Sequence, residues 1–335
     1  MKQEILELLR GREDFVSGQE LCERFGVSRT AVWKAVEQLK KEGYLIEAVR
    51  NRGYLLRDSD EVYSGNEIAG RLRTRWAGRP VYFYDSLGST NLQAKMDAEK
   101  GAGHGTLIVA DMQTKGRGRR GRNWSSPAGT NLYFTLILKP DFSPDTASML
   151  TLVMAYAIAR GIEKTASGQG KEEPDGLEIG IKWPNDIVVH GKKVCGILTE
   201  MSAERDYIHY VVIGCGVNVK KQNFGPEIAS TAAALEEELK QKISRSGLLA
   251  NVMEVFEREY EAFVETGSLK GLKDRYNALL VNRDREVCVL DPKGEYRGVA
   301  RGINDAGELL VERSEGGLTA VYAGEVSVRG IYGYV

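Results

Sequence analysis

Residues 111–134, DMQTKGRGRRGRNWSSPAGTNLYF, set a cationic, glycine-punctuated run between two apolar segments. Within it, Gln113–Arg122 carries five cations (Lys115, Arg117, Arg119, Arg120 and Arg122) and three glycines without a single acid. Gly116, Gly118 and Gly121 permit sharp turns and let backbone N–H groups approach a ligand closely. Arginine adds a planar fork matched to carboxylate and phosphate. The run reads as a loop that wraps a small anion; a basic surface loop or a nucleic-acid-binding tail is the alternative that composition alone leaves open. The flanks favour the first reading. Thr106–Met112 (TLIVADM) has the pattern of a buried strand going in and Asn131–Leu138 (NLYFTLIL) of one coming out, so the charge is held between core strands. No Gly-Lys-Ser/Thr opens a helix after it, which excludes a nucleotide P-loop.

Around this stretch lies a chain of 335 residues, long enough for two or three domains and a large core. A net charge of −1 excludes wholesale coating of nucleic acid, so any such contact is local. Cys22, Cys195, Cys215 and Cys288 are scattered without a CxxC pair, and the chain has three histidines. That pattern argues against a zinc site and for reduced thiols in a cytosol. Without a signal peptide or an apolar run of membrane-spanning length, a soluble cytoplasmic protein with no membrane partner is expected.

The first 57 residues read as a small unit of their own. Ile5, Leu6, Leu8 and Leu9 mark one helix, and Gln19–Phe25 a second with Leu21, Cys22 and Phe25 inward. Gly26-Val27 turns the chain, and Ser28 is placed to cap a third helix running to Lys41. On that helix Val32, Val36 and Leu39 share a face, which leaves Thr30, Lys34, Glu37 and Lys41 outward with Arg29 and Trp33 at the flanks. Tyr44–Val49 and Tyr54–Leu56 then form a hairpin tipped by Arg50-Asn51-Arg52-Gly53. Helix–turn–helix followed by a basic hairpin is the winged form of a DNA-reading module, as against a generic three-helix interaction domain. Ser28, Arg29, Thr30, Trp33 and Lys34 are the expected groove residues, and Arg50 and Arg52 the expected wing contacts. The unit's near-balanced charge favours a dimer reading two half-sites.

Residues 58–70 read as a linker and short helix, after which strands and helices alternate from Pro80 to about Val281. Gly88–Glu99 is a helix opened by a Ser89-Thr90 cap, Met149–Lys164 a long apolar helix, and 165–176 a polar, Gly-rich loop without an assigned role. Leu177–Glu200 holds three strand-like pieces separated by WPND and HGKK; Tyr207–Gly214 is another strand and Leu248–Glu265 a helix. Asn282–Gly330 shows short strands with turns at 292–294, 304–305 and 316–317, a small β-barrel pattern.

Four pieces of the central region now stand together: DSLGSTN (Asp85–Asn91), QTKGRGRRGRNW (Gln113–Trp124), KWPND (Lys182–Asp186), and GILTE with GVNV (Gly196–Glu200, Gly216–Val219). The set resembles the biotin–protein ligase family, and with the winged helix in front it resembles that family's bacterial bifunctional ligase and biotin-operon repressors. The resemblance covers essentially the whole chain. It implies an α+β multidomain fold. Residues 1–62 are then a winged helix–turn–helix, 63–281 a mixed α/β, class II synthetase-like catalytic domain, and 282–335 an SH3-like barrel. It also implies a reaction: biotin and ATP, with Mg²⁺ on the polyphosphate, give biotinyl-5′-adenylate. Biotin then passes to one lysine of a biotin carboxyl carrier domain. When acceptor is scarce, the adenylate-bound homodimer sits on operator DNA and represses biotin synthesis and uptake genes.

The residues fit that chemistry. A carboxylate attacking the α-phosphate brings two anions together, so fixed positive charge is needed at the junction. Arg119, Arg122 and Lys182 are there to supply it, and the resemblance gives Lys182 and Arg119 the catalytic roles. Trp183-Pro184-Asn185-Asp186 makes a stiff turn that aims Lys182. By resemblance the biotin contacts are Ser89, Thr90, Asn91, Gln113, Gly116, Arg117, Gly118, Arg119, Lys182 and Gly196. The adenylate contacts are Arg120, Arg122, Trp124, Asn185 and Asn218, and no protein ligand to a metal is assigned. Trp124 is equally suited to stacking on adenine and to anchoring its loop. The Gly/Arg loop is expected to order around the adenylate and so complete a dimer surface. Two other readings stay open: a biotin-sensing repressor without catalysis, and a ligase for lipoate or octanoate. The activating cations speak against the first, and the GRGRRG run against the second.

Overall fold

The structure, a computed structural model, describes residues 1–10, 12, 14–57, 62–168, 176–291, 294–314, 316–322 and 327–330. Most of the 165–176 loop, two residues of the expected 292–294 turn and part of the expected 58–70 linker therefore lie outside the described residues. The chain divides into two compact units, Met1–Arg71 and Leu72–Val335.

In the first unit, α1 (Lys2–Arg10), α2 (Gly18–Phe25) and α3 (Arg29–Lys41) are followed by β1 (Ile46–Val49), β2 (Gly53–Leu56) and α4 (Gly65–Arg71). Leucine and β-branched residues at helical spacing meet in one core of Ile5, Leu9, Leu21, Val32, Val36 and Leu39. Both helix starts are capped: Ser17 Oγ accepts from Glu20 N, and Ser28 Oγ from Ala31 N. Gly26, at φ +64°, ends α2 in the left-handed conformation that the turn requires. β1 and β2 pair antiparallel, with Val49 opposite Gly53 and Asn51 at φ +64° in the tip. α4 is held by Glu67, which is 3% exposed and meets Arg10, Arg71 and the Tyr44 hydroxyl.

The second unit opens with β3 (Val81–Leu87), α5 (Thr90–Glu99), β4 (Leu107–Gln113), β5 (Leu132–Leu138) and α6 (Met149–Ser167). Four strands follow, β6 (Ile179–Lys182), β7 (Asp186–Val189), β8 (Lys192–Ala203) and β9 (Ile208–Val217), then α7 (Leu235–Leu239), α8 (Arg245–Thr266) and α9 (Lys273–Leu279). The strands make one seven-stranded sheet in the order β3-β4-β5-β9-β8-β7-β6, parallel at β3–β4 and antiparallel elsewhere. The two apolar flanks of the Gly/Arg run are β4 and β5, neighbours near the middle of that sheet. α5 and α6 cover opposite faces. Glu200 on β8 reaches Lys95 and Asn91 of α5, whereas Thr199, one residue earlier and so on the other face, bonds Thr151 of α6 at 2.8 Å. α6 is apolar nearly all round because α8 closes over it. Gly161 lets the two helices touch, since a Cβ there would lie 2.6 Å from a methyl of Val252.

The chain ends in a five-stranded antiparallel sheet of β10 (Glu286–Leu290), β11 (Tyr296–Ile303), β12 (Leu309–Glu312), β13 (Leu318–Val321) and β14 (Ser327–Gly330), ordered β13-β12-β11-β10-β14. It is tied to the β6–β7 turn and to α9: Trp183 Nε1 donates to Gly307 O at 3.1 Å, and Asn277 Oδ1 accepts from Ile303 N at 2.8 Å. Among the described residues no helix is long and apolar enough to cross a membrane.

Candidate active site

The Gly/Arg run is a closed loop with its own hydrogen bonds. Gly116 O accepts from Trp124 N at 3.0 Å, Arg117 bridges Asn123, and Gly118 N donates to Arg122 O at 2.7 Å. Arg120 takes a left-handed φ of +56° at the tip. Gly116 is buried at the loop's base, where a Cβ would lie 2.5 Å from Trp124 O and 2.7 Å from Ser126 Oγ. It shapes the loop and is not among the residues that line the cavity.

Under the loop lies a cavity of about 630 Å³. All the other expected site residues line it, from Ser89, Thr90, Asn91 and Gln113 through Arg117, Gly118, Arg119, Arg120, Arg122 and Trp124 to Lys182, Asn185, Gly196 and Asn218. Segments spread over 130 residues of chain thus converge because β4, β8, β9 and the β6–β7 turn end at one place.

One end of the cavity is neutral and polar. Thr90 N donates to Gln113 Oε1 at 2.8 Å, and the Thr90, Thr135 and Gln113 oxygens form a chain with Asn91 Oδ1, 2.7 Å from Thr135 Oγ1. Asn91 Nδ2 donates to Glu200 Oε2 at 2.8 Å. Burial demands such partners. Ser89 occupies the cap position of α5 but its hydroxyl makes no capping bond, so of the two roles expected for it only the one at the cavity is available.

The other end gathers charge. Lys182, 8% exposed, stands opposite Asp186 in the β6–β7 register. Asn185 Oδ1 accepts from Arg119 Nη1 at 3.0 Å, while Asn185 Nδ2 donates to Asp186 Oδ1 and to Ile197 O, both at 3.1 Å. Burial pulls the Arg119 guanidinium below its ordinary pKa, opposed by the Asp186 carboxylate. An arginine so placed remains a cation, in a setting where its field is weakly screened. Trp183, buried and bonded at both nitrogens to Asn282 and Gly307, fixes the turn that aims Lys182.

The floor between the two ends is bare backbone. Gly196 pairs directly with Gly216 across β8–β9. The Trp124 indole rests on this pair: a Cβ at Gly196 would lie 3.0 Å from Trp124 Cζ3, and one at Gly216 would collide with Nε1. Trp124 Nε1 is buried without a hydrogen-bond partner. Lys193, 5.5 Å above the same ring, is paired with Asp186 at 2.6 Å. Lys193, Gly214, Gln222 and Phe224 line the cavity and were not legible from motifs, while Gly216, which also lines it, opens the GVNV motif without having been singled out. Gly214 and Gly216 carried the one available signal, two glycines in a strand otherwise of bulky apolar residues. Among the described residues no three His, Cys, Asp or Glu side chains cluster to hold a metal.

In the first unit Arg29, Thr30, Trp33 and Lys34 are exposed on α3, as are Arg50 and Arg52 at the hairpin tip. Arg29 also donates to Gln19 Oε1 at 3.0 Å, and Arg52 lies 4.3 Å over the Phe15 ring. The Ser28 hydroxyl is engaged as a helix cap.

Residues 85–218 match the biotin/lipoate A/B protein ligase family, residues 2–55 an HTH domain, and residues 284–329 the biotin protein ligase C terminal domain. The bifunctional ligase/repressor BirA of Bacillus subtilis is 38% identical over 98% of both chains, and that of Escherichia coli 29% identical over 94% of both. The biotin protein ligase of Aquifex aeolicus, solved with biotin and ATP, superposes with a TM-score of 0.64 at 29% identity, over 75% of this chain and 98% of the other.

Proposed function

This chain belongs to the biotin protein ligase family, in its bifunctional ligase/repressor form, and from that membership we propose how its own residues carry out the two roles. As a ligase it joins biotin to ATP and passes the biotinyl group to a lysine of a biotin carboxyl carrier domain. The biotin carboxylate attacks the α-phosphorus; the new carboxyl–phosphate bond forms as the α–β bridging oxygen leaves with pyrophosphate. The acceptor amine, having lost a proton, then attacks the acyl carbon, and AMP departs.

The observation that carries this reading is the pairing of a neutral hydrogen-bonding pocket with a buried cationic one in a single cavity. The ureido ring takes the Ser89–Asn91 and Gln113 end. Lys182 and Arg119 meet the carboxylate and α-phosphate as charge develops, with Asn185 holding Arg119 in direction. Trp124, Asn218, Arg120 and Arg122 take the adenylate. Mg²⁺ belongs to the polyphosphate, because Asp186, the one acid among the described lining residues, is already held by Lys193. When bound it neutralises the leaving group.

As a repressor, the protein reads operator DNA in the cytoplasm through α3 and the basic hairpin, as an adenylate-bound homodimer. Support for a dimer face comes from β8: its Ile197–Ala203 half has β9 on one side and, among the described residues, no strand on the other. Arg119 and Arg120 border the same stretch.

Biotin-dependent ATP–pyrophosphate exchange, followed by a mass increase on a carrier domain, tests the ligase reading. Exchange is expected with biotin and not with lipoate. A protein that binds biotin and shows no exchange would be a sensor alone.

A further inference from the structure

A chain of polar contacts through the buried Arg245, Asn131 and Asn218 runs from the first turn of α8 to the nucleotide end of the cavity, and no step above uses the links behind Asn218. Arg245, 4% exposed, donates through Nη1 to Asp111 Oδ1 at 2.7 Å and to Asn131 O at 3.2 Å. Asn131 is 0% exposed; its Oδ1 accepts from Val219 N at 3.0 Å and its Nδ2 donates to Gln222 Oε1 at 3.0 Å. Gln222 Nε2 donates in turn to Asn218 Oδ1 at 3.2 Å. Each amide dictates the next. A backbone N–H only donates, so Val219 forces Asn131 to present its oxygen there and its NH₂ to Gln222. Gln222 must then offer its own NH₂ to Asn218. The Asn218 backbone is fixed as well, its N–H on Val194 O at 2.8 Å and its carbonyl accepting from Leu235 N at 3.0 Å. What remains for the cavity is the Asn218 NH₂, beside an oxygen with one lone pair to spare.

We propose that Asn131 and Gln222 are positioning residues that lock the Asn218 amide in the orientation that reads a 6-aminopurine and rejects a 6-oxopurine. A donor facing a ring nitrogen, next to an acceptor facing an exocyclic amine, is the pattern an adenine edge requires. A 6-oxo base sets its carbonyl against the Asn218 oxygen and leaves polar groups unpaired. The inference rests on the proposed placement of the nucleobase at Asn218 and deepens it by assigning base selection to residues behind it.

Gln222→Glu tests it. The carboxylate still accepts from Asn131 but has nothing to donate, so Asn218 turns its NH₂ inward and presents its oxygen to the base. Biotin-dependent nucleotide–pyrophosphate exchange is measured on the full-length protein with ATP and with ITP. The ratio of kcat/KM for ATP over ITP is expected to fall by about tenfold or more, through KM, with the KM for biotin unchanged. Gln222→Met, which fills the space without hydrogen bonds, is expected to give an intermediate ratio, and it serves alone if melting shows that Gln222→Glu does not fold. An unchanged ratio, or equal losses on both nucleotides, overturns the proposal. Absence of exchange in the wild-type protein would instead remove the ligase reading on which it stands.

Discussion

Two glycines two residues apart on β9 separate the halves of the cavity. A Cβ at Gly214 would collide with Asn91 Oδ1, whereas one at Gly216 would collide with the Trp124 indole. Gly214→Ala is therefore expected to raise the KM for biotin, and Gly216→Ala the KM for ATP, each by roughly tenfold, with overpacking costing about 1–3 kcal/mol of stability. Crossed or equal effects on the two substrates would contradict the assignment of the two ends. Away from the site, His104 packs 4.5 Å from Trp76 and accepts from Lys139 N at 3.0 Å. Burial lowers its pKa below the ordinary 6.5. The unfolded chain then takes up this proton first as pH falls through about 6.5, and the fold loses stability in that window. The urea midpoint should drop between pH 7.5 and 5.5, and His104→Phe should flatten the drop.

At the scale of elements, α3 turns on one residue with two assigned jobs. Ser28 stands both at the cap of the helix and among the expected groove residues, and its hydroxyl accepts from Ala31 N. Ser28→Ala should cost about 1 kcal/mol, read as a lower melting temperature of the first unit. Ser28→Asp keeps a cap and adds an anion at the groove, so stability should hold while operator affinity falls. If Ser28→Asp binds operator as the wild type does, α3 does not enter the groove by this end. Most elements were legible in advance, and for identifiable reasons. β4 and β5 announce themselves as apolar runs, and β6, β7 and β8 are separated by WPND and HGKK as expected. The cavity wall contributed by 222–232 was not legible, because it is a loop whose position comes from the Asn131 side chain and the Lys193 backbone, both far away in sequence. Lys193 sits in HGKK, which has the composition of a turn, and its bond to Asp186 exists only once β7 and β8 pair.

The whole molecule divides after Arg71, and the two roles divide with it. Removal of residues 1–71 is expected to abolish operator binding while the remaining chain still biotinylates a carrier domain; equal loss of both would mean the front unit is part of the enzyme. For the intact protein, operator affinity should fall steeply with salt if Arg50 and Arg52 meet phosphates. The place of the cut matters because of Glu67. Nearly sealed from water, this carboxylate is shared by Arg10 of α1, Tyr44 before β1 and Arg71 at the end of α4. A break within residues 58–61 would part Glu67 and Arg71 from Arg10 and Tyr44, leaving the nearly sealed carboxylate with Arg71 alone and the half-buried Arg10 without its acid. The portable piece, for anyone grafting this DNA reader onto another sensor, is consequently the whole of residues 1–71, and the graft point is the residue after Arg71.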